Sequence, residues 1–237
     1  MRRAGPADTP VLVLLPPAGG SAQSFAGWQH RLPPHLDLVA AQYPGRGSRR
    51  REPLPGTVAG MAAELAVTLC ARTGPVHIFG HSLGALVGYE LCWQLQNARR
   101  APATFVASAA VPPHRRAVFG SRLTDALTGD LATLLAGAHT LSAAVEREPR
   151  LLRRREPIYR ADFAAAHSYI YGTAQRLLRT PLVAVGGAQD PLVPVNELVR
   201  WPELAAGPST VHTLPGGHFY YLDSMSGLMA LIRRATR

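Results

Sequence analysis

Six short apolar runs recur along this chain, and longer stretches with helical spacing separate them. The runs are PVLVLLP (10–16), LDLVAAQYP (36–44), VHIFG (76–80), TFVASAA (104–110), PLVAVGG (181–187) and TVHTLPG (210–216). They are rich in Val, Leu and Ile, and most close on Gly or Pro. That is the pattern of strands buried on both faces. Helical patterns fall at 57–72, 83–98, about 158–177 and 224–236. Strand, helix, strand, repeated, predicts an α/β fold: a mostly parallel central sheet with helices on both faces.

One interval breaks the rhythm. Between about residues 112 and 180 no strand is predicted, and several helical stretches follow one another. A connection this long between core strands is too large for a plain loop. It is expected to form a helical lid inserted into a single domain spanning 1–237.

Composition narrows the class. Apolar residues make up 47% of the chain and charged residues 17%, which suits a globular core rather than a disordered or fibrous chain. No apolar run approaches the roughly 20 residues that span a bilayer. The first run, Val11 to Leu15, is shorter than the roughly 7–15 residues of a signal-peptide core. Cys70 and Cys92 both fall in helical patterns, against a disulfide framework. The expectation is a cytoplasmic monomer. The net charge is +10, yet all 25 basic residues are arginine, which points to a compositional bias as much as to an acidic partner. Clusters such as Arg49-Arg50-Arg51 and Arg153-Arg154-Arg155 lack the module or aromatic interleaving of a nucleic-acid binder.

The chemistry concentrates where strands end. Gly80-His81-Ser82-Leu83-Gly84 joins a predicted strand to a predicted helix. G-x-S-x-G in that setting is a sharp turn that lifts a serine hydroxyl above the sheet. Ser82 is the candidate nucleophile. A serine needs a base, and the base an orienting carboxylate, in the chain order serine, acid, histidine. His218 sits in a glycine loop just after the last predicted strand, whereas His212 lies within that strand and His139 and His167 lie in the lid interval. Asp190, in the loop after the preceding strand, is the candidate acid, with Asp162 set aside as a helix residue. An oxyanion hole would take the backbone N–H of Leu83 and that of Ala18 in the glycine loop after the first strand. None of this chemistry calls for a metal or diffusible cofactor.

The stretches LPPAGGSAQSFAGW, AAQYPGRGSRRREPL, GHSLGALVGYEL, YRADFAAAHSYIY, GGAQDPLVP and LPGGHFYYLD occur in this order. Together they resemble the stand-alone type II thioesterases of polyketide and nonribosomal peptide biosynthesis. The resemblance implies an α/β-hydrolase core, a lid before the acid-bearing strand end, and Ser82, Asp190 and His218 as the triad. It also places Ala18 and Leu83 on the oxyanion-hole positions. It implies release of acyl groups from the phosphopantetheine arm of acyl or peptidyl carrier proteins, with no nucleic acid and no membrane involved. Two alternatives stand beside it: a small-ester or product-releasing hydrolase, and a non-catalytic carrier-protein-binding subunit. Pro17 departs from the polar or aromatic residue common in the first loop. The lid stretch LLAGAHTLSAAV also lacks the usual glycine-rich segment, so no acyl-chain preference carries over.

Overall fold

The computed structural model describes residues 6–115, 149–172 and 176–237. Most of the interval expected as a lid, together with His139, lies outside those residues. Six parallel strands form one sheet in the order β2-β1-β3-β4-β5-β6: β1 (Val11–Leu15), β2 (Asp37–Ala40), β3 (Val76–His81), β4 (Thr104–Ser108), β5 (Leu182–Gly187) and β6 (Ser209–Leu214). All six lie where the apolar runs predict them.

Side chains alternate between two cores, as the strand period of two requires. Val11, Val13 and Leu15 of β1 join Ile78, Phe105 and Ala107 on one face. Helices α1 (Val58–Cys70) and α2 (Leu83–Asn97) cover that face. Leu12 and Leu14 point the other way, with Phe79 and Val106. There they meet Phe25, Trp28 and the C-terminal helix, whose Leu228, Met229 and Ile232 are buried. Phe25, Trp28 and Phe79 pack edge-on or tilted, with ring centroids 5.0–6.1 Å apart. Such pairs add about 0.5–1.5 kcal/mol each beyond their buried area.

Helix α3 (Pro149–His167) departs from expectation. It begins nine residues before the predicted start, carrying Pro157 within it, and ends ten residues early. Arg150 and Arg153 to Arg155 in its opening turns are exposed, and they interrupt the apolar period that would announce a helix. Beyond its end, Tyr169 and Arg176 turn back to α2. Tyr169 Oη and Arg176 Nη2 donate to Glu90 Oε2 at 2.9 and 2.7 Å. The Arg176 guanidinium also lies 5.0 Å from the centre of the Trp93 ring. A single helical turn, α4 (Val195–Leu198), follows β5, and α5 (Met225–Ala235) closes the fold.

Candidate active site

Because every strand is parallel, the loops after β1, β3, β5 and β6 emerge at one end of the sheet. β3 runs into α2 through Ser82, whose φ of 56° and ψ of −117° are unusual for a residue with a Cβ. The Ser82 N–H donates to the Ser108 carbonyl at 2.8 Å, and its carbonyl accepts from the Ala85 N–H at 2.9 Å. Close approach explains the flanking glycines. A Cβ on Gly80 would lie 2.1 Å from the Gly84 carbonyl oxygen, and one on Gly84 2.1 Å from that of Leu15. The turn therefore needs both positions bare, as the G-x-S-x-G reading requires. Ser82 remains partly exposed at its apex.

Asp190 and His218 meet across the next two loops. His218 Nδ1 lies 2.8 Å from Asp190 Oδ2, and both side chains are almost wholly buried. A carboxylate only accepts, so Nδ1 carries a proton in this bond, which leaves Nε2 as the basic nitrogen of the neutral tautomer. The other carboxylate oxygen accepts from the Leu192 and Val193 N–H groups at 2.8 and 3.1 Å. The two loops are laced together besides. The Gly216 N–H donates to Gln189 Oε1 at 2.8 Å, and the Gln189 N–H donates to the Gly216 carbonyl at 3.0 Å. The Asp190 carboxylate is thereby held by backbone amides, and the loop bearing His218 is tied to the loop bearing Asp190.

Around this pair lies a chain of groups that sequence reading did not single out. His81, fully buried, sits with its ring centre 5.2 Å from that of His218. Its Nδ1 is 2.9 Å from Ser108 Oγ, which lies 2.8 Å from Tyr220 Oη. Burial first, and the neighbouring His218 second, push the His81 imidazole well below its ordinary pKa of 6.5. It is a neutral strut between the serine turn and the loop that carries His218. Its position just before Ser82 was the available signal.

Leu83 is the first residue of α2, so its N–H has no acceptor within the helix. Ala18 lies in the loop after β1, partly buried against the core. This loop has its own supports. The Gly20 N–H donates to the Pro17 carbonyl at 2.9 Å, and the Gly19 N–H donates to Asp162 Oδ2 at 2.8 Å. Asp162 is not a bystander on its helix, because it forms a two-pronged pair with Arg46. The other histidines go elsewhere. His114 pairs with Glu203 at 2.8 Å, His167 ends α3 on the surface, and His212 is partly exposed on the edge strand rather than packed. Among the described residues, no group of three or more His, Cys, Asp or Glu side chains is placed to hold a metal, and no helix is long and apolar enough to cross a membrane.

The family described as "Thioesterase domain" matches residues 10–236, nearly the whole chain. The chain belongs to the thioesterase-domain family. It is 33% identical over 242 residues to a probable cadicidin biosynthesis thioesterase of Streptomyces griseus, covering 99% of this chain and 65% of that relative's length. Among solved structures it is similar to RedJ, a thioesterase from the prodiginine biosynthetic pathway of Streptomyces coelicolor. That match has a TM-score of 0.86, 30% identity, and covers 99% of this chain and 90% of that one. It is also similar to BorB, a type II thioesterase from the borrelidin biosynthetic cluster, with a TM-score of 0.79, 35% identity, and 100% and 94% coverage. The fold is that of the α/β-hydrolase thioesterases, as the sequence predicts.

Proposed function

We propose that this thioesterase-family chain is a serine hydrolase that cleaves acyl thioesters from the phosphopantetheine arm of acyl or peptidyl carrier proteins. In that role it would act as an editing enzyme of polyketide or nonribosomal peptide biosynthesis. The observation that carries the reading is the buried His218–Asp190 pair beside a strained serine turn. Likeness to thioesterases of such pathways supplies the substrate class.

In this mechanism His218 Nε2 takes the Ser82 hydroxyl proton as Oγ attacks the thioester carbonyl. Asp190 holds the imidazole in the required tautomer and stabilises its charged form. The Leu83 and Ala18 N–H groups receive the developing oxyanion, each contributing a factor of about 10² to 10³ in rate. Collapse breaks the C–S bond, and His218 returns the proton to the departing pantetheine thiol. Water, deprotonated by the same histidine, then attacks the acyl-serine; collapse breaks the Oγ–C bond, His218 returns the proton to Ser82 Oγ, and the free acid leaves. Arg153, Arg154 and Arg155, exposed on α3, are compatible with an acidic carrier.

The test is thiol release from one acyl group presented three ways: on a carrier protein, on a short pantetheine mimic, and as an oxygen ester, with Ser82→Ala as control. Preference for the carrier-bound thioester, abolished in Ser82→Ala, is the expected result. Equal rates on all three, or preference for the oxygen ester, would replace the carrier assignment with a general esterase. Turnover that survives Ser82→Ala would remove the triad.

A further inference from the structure

We propose that Asp162 and Arg46 are positioning residues for the oxyanion hole, acting through the loop that presents the Ala18 N–H. The inference rests on the triad and oxyanion reading above, and it adds two residues that this reading does not contain.

The geometry runs from α3 to the loop in four steps. Asp162 Oδ1 accepts from Arg46 Nη2 at 2.6 Å, while Oδ2 accepts from Arg46 Nη1 at 2.6 Å and from the Gly19 N–H at 2.8 Å. Arg46 Nη1 also donates to the Gly20 carbonyl at 3.2 Å. The Gly20 N–H in turn donates to the Pro17 carbonyl at 2.9 Å. That carbonyl belongs to the same peptide unit as the Ala18 N–H, and no peptide bond in the described residues is cis. In a trans unit N–H and C=O point in opposite directions, so holding one aims the other. Two residues more than 110 positions apart in sequence thus set the direction of one amide.

Packing reinforces the link. A Cβ on Gly19 would fall 2.1 Å from Cε1 of Tyr159, three residues before Asp162, so α3 lies directly on the loop. Gly19 has a φ of +69°, a conformation that glycine adopts freely and that a side chain here would oppose. Both charged side chains are buried, Asp162 completely and Arg46 with 4% of its surface exposed. A buried ion pair is a weak source of stability, because desolvation offsets most of the attraction. A better account of its presence is geometric. The carboxylate is the acceptor the Gly19 amide requires, and the guanidinium cancels a negative charge that would otherwise oppose an oxyanion forming nearby. Arg46 spans both jobs because its planar fork meets the carboxylate with two donors.

Three proteins test this: the wild type, Arg46→Lys, and Arg46→Leu/Asp162→Leu, the last removing both charges so that neither is left alone in the core. Active sites are counted by a fluorophosphonate carried to its endpoint. Then kcat and KM are measured on an acyl-pantetheine thioester, along with inhibition by an alkyl trifluoromethyl ketone, whose adduct with a serine places an oxyanion in the hole. In both variants kcat per titrated site is expected to fall about 10- to 100-fold with KM changed by less than about two-fold. Affinity for the ketone should fall in parallel with kcat.

A folded variant with wild-type kcat and wild-type affinity for the ketone would overturn the proposal. So would failure of both variants to fold, which would make the pair a folding tie. Absence of Ser82-dependent hydrolysis in the wild type would instead sink the underlying reading. The two failures are therefore distinguishable.

Discussion

Gly84→Ala tests whether the serine turn works by close approach of backbone. The added Cβ would lie 2.1 Å from the Leu15 carbonyl oxygen, 2.6 Å from the Leu15 carbonyl carbon and 2.9 Å from the Pro16 oxygen. All three atoms are backbone, so no side chain can swing aside. Restoring a carbon–oxygen contact of about 3.3 Å requires the first turn of α2 and the end of β1 to part by about 1.2 Å. Those segments carry the two proposed oxyanion donors, Leu83 and the Ala18 loop. A displacement of about 1 Å in a catalytic site costs about 10²-fold in rate.

Stability should fall too, by about 1–3 kcal/mol from overpacking, less up to about 1 kcal/mol regained because alanine favours helix. For a chain of this size that is about 2–4 °C in Tm for each kcal/mol. The assay pairs thiol release with thermal unfolding. Gly227→Ala in α5 is the control, since its Cβ meets only the mobile end of Leu214 at 3.1 Å. It should keep full activity. If Gly84→Ala matches that control in both kcat and Tm, close approach does not explain the motif.

The remaining predictions concern the acid, two buried histidines and a buried ion pair. Asp190→Asn should retain the fold and lose about 10⁴ in kcat, because the imidazole then adopts the wrong tautomer; a loss under tenfold would remove Asp190 from the triad. Burial lowers the pKa of His81 and of His77, so the unfolded chain binds protons near pH 6.5 that the native state does not. Stability should therefore be full above about pH 6.5 and fall below it, by up to about 1.4 kcal/mol per pH unit for each histidine. Urea midpoints at pH 7.5, 6.5 and 5.5 would read this, and a flat profile would contradict it. Glu90→Leu strands the Arg176 guanidinium against α2 and should cost about 3 kcal/mol, seen as a lower urea midpoint. A loss under about 1 kcal/mol would mean the pair is solvated.

Much of this architecture was readable before any coordinates. Strands buried on both faces leave uninterrupted apolar runs, so β1 and β3 to β5 stand out. In a parallel sheet functional loops follow strand ends, so Asp190 and His218 were candidates by their loops, and Ser82 by its G-x-S-x-G turn between a strand and a helix. The edge strand β6 was legible by its place in the series, but His212 within it is half open because, among the described residues, no further strand pairs on that side. Helix α3 was misplaced because Arg150 and Arg153 to Arg155 in its first turns interrupt the apolar period. Asp162 was legible only as a helix residue, since its partner Arg46 lies 116 positions away and no local spacing couples them. His81, Ser108 and Tyr220 come from three separate segments and meet only through the sheet.

The common direction of the strands also gives the molecule two unlike poles. The site occupies one. The other holds the backs of the crossovers, Thr73–Pro75, Arg99–Ala103 and Ala205–Pro208. Both ends of the described chain reach this second pole: the Ala7 carbonyl accepts from the Thr73 and Gly74 N–H groups, and the Ala235 carbonyl accepts from Thr104 Oγ1 at the start of β4. A bead, a fusion partner or a sensor surface tethered beside Ala7 or Ala235 would therefore leave the serine turn facing outward. For immobilised assays with substrates as large as a folded protein, the attachment point is set by the direction of the sheet.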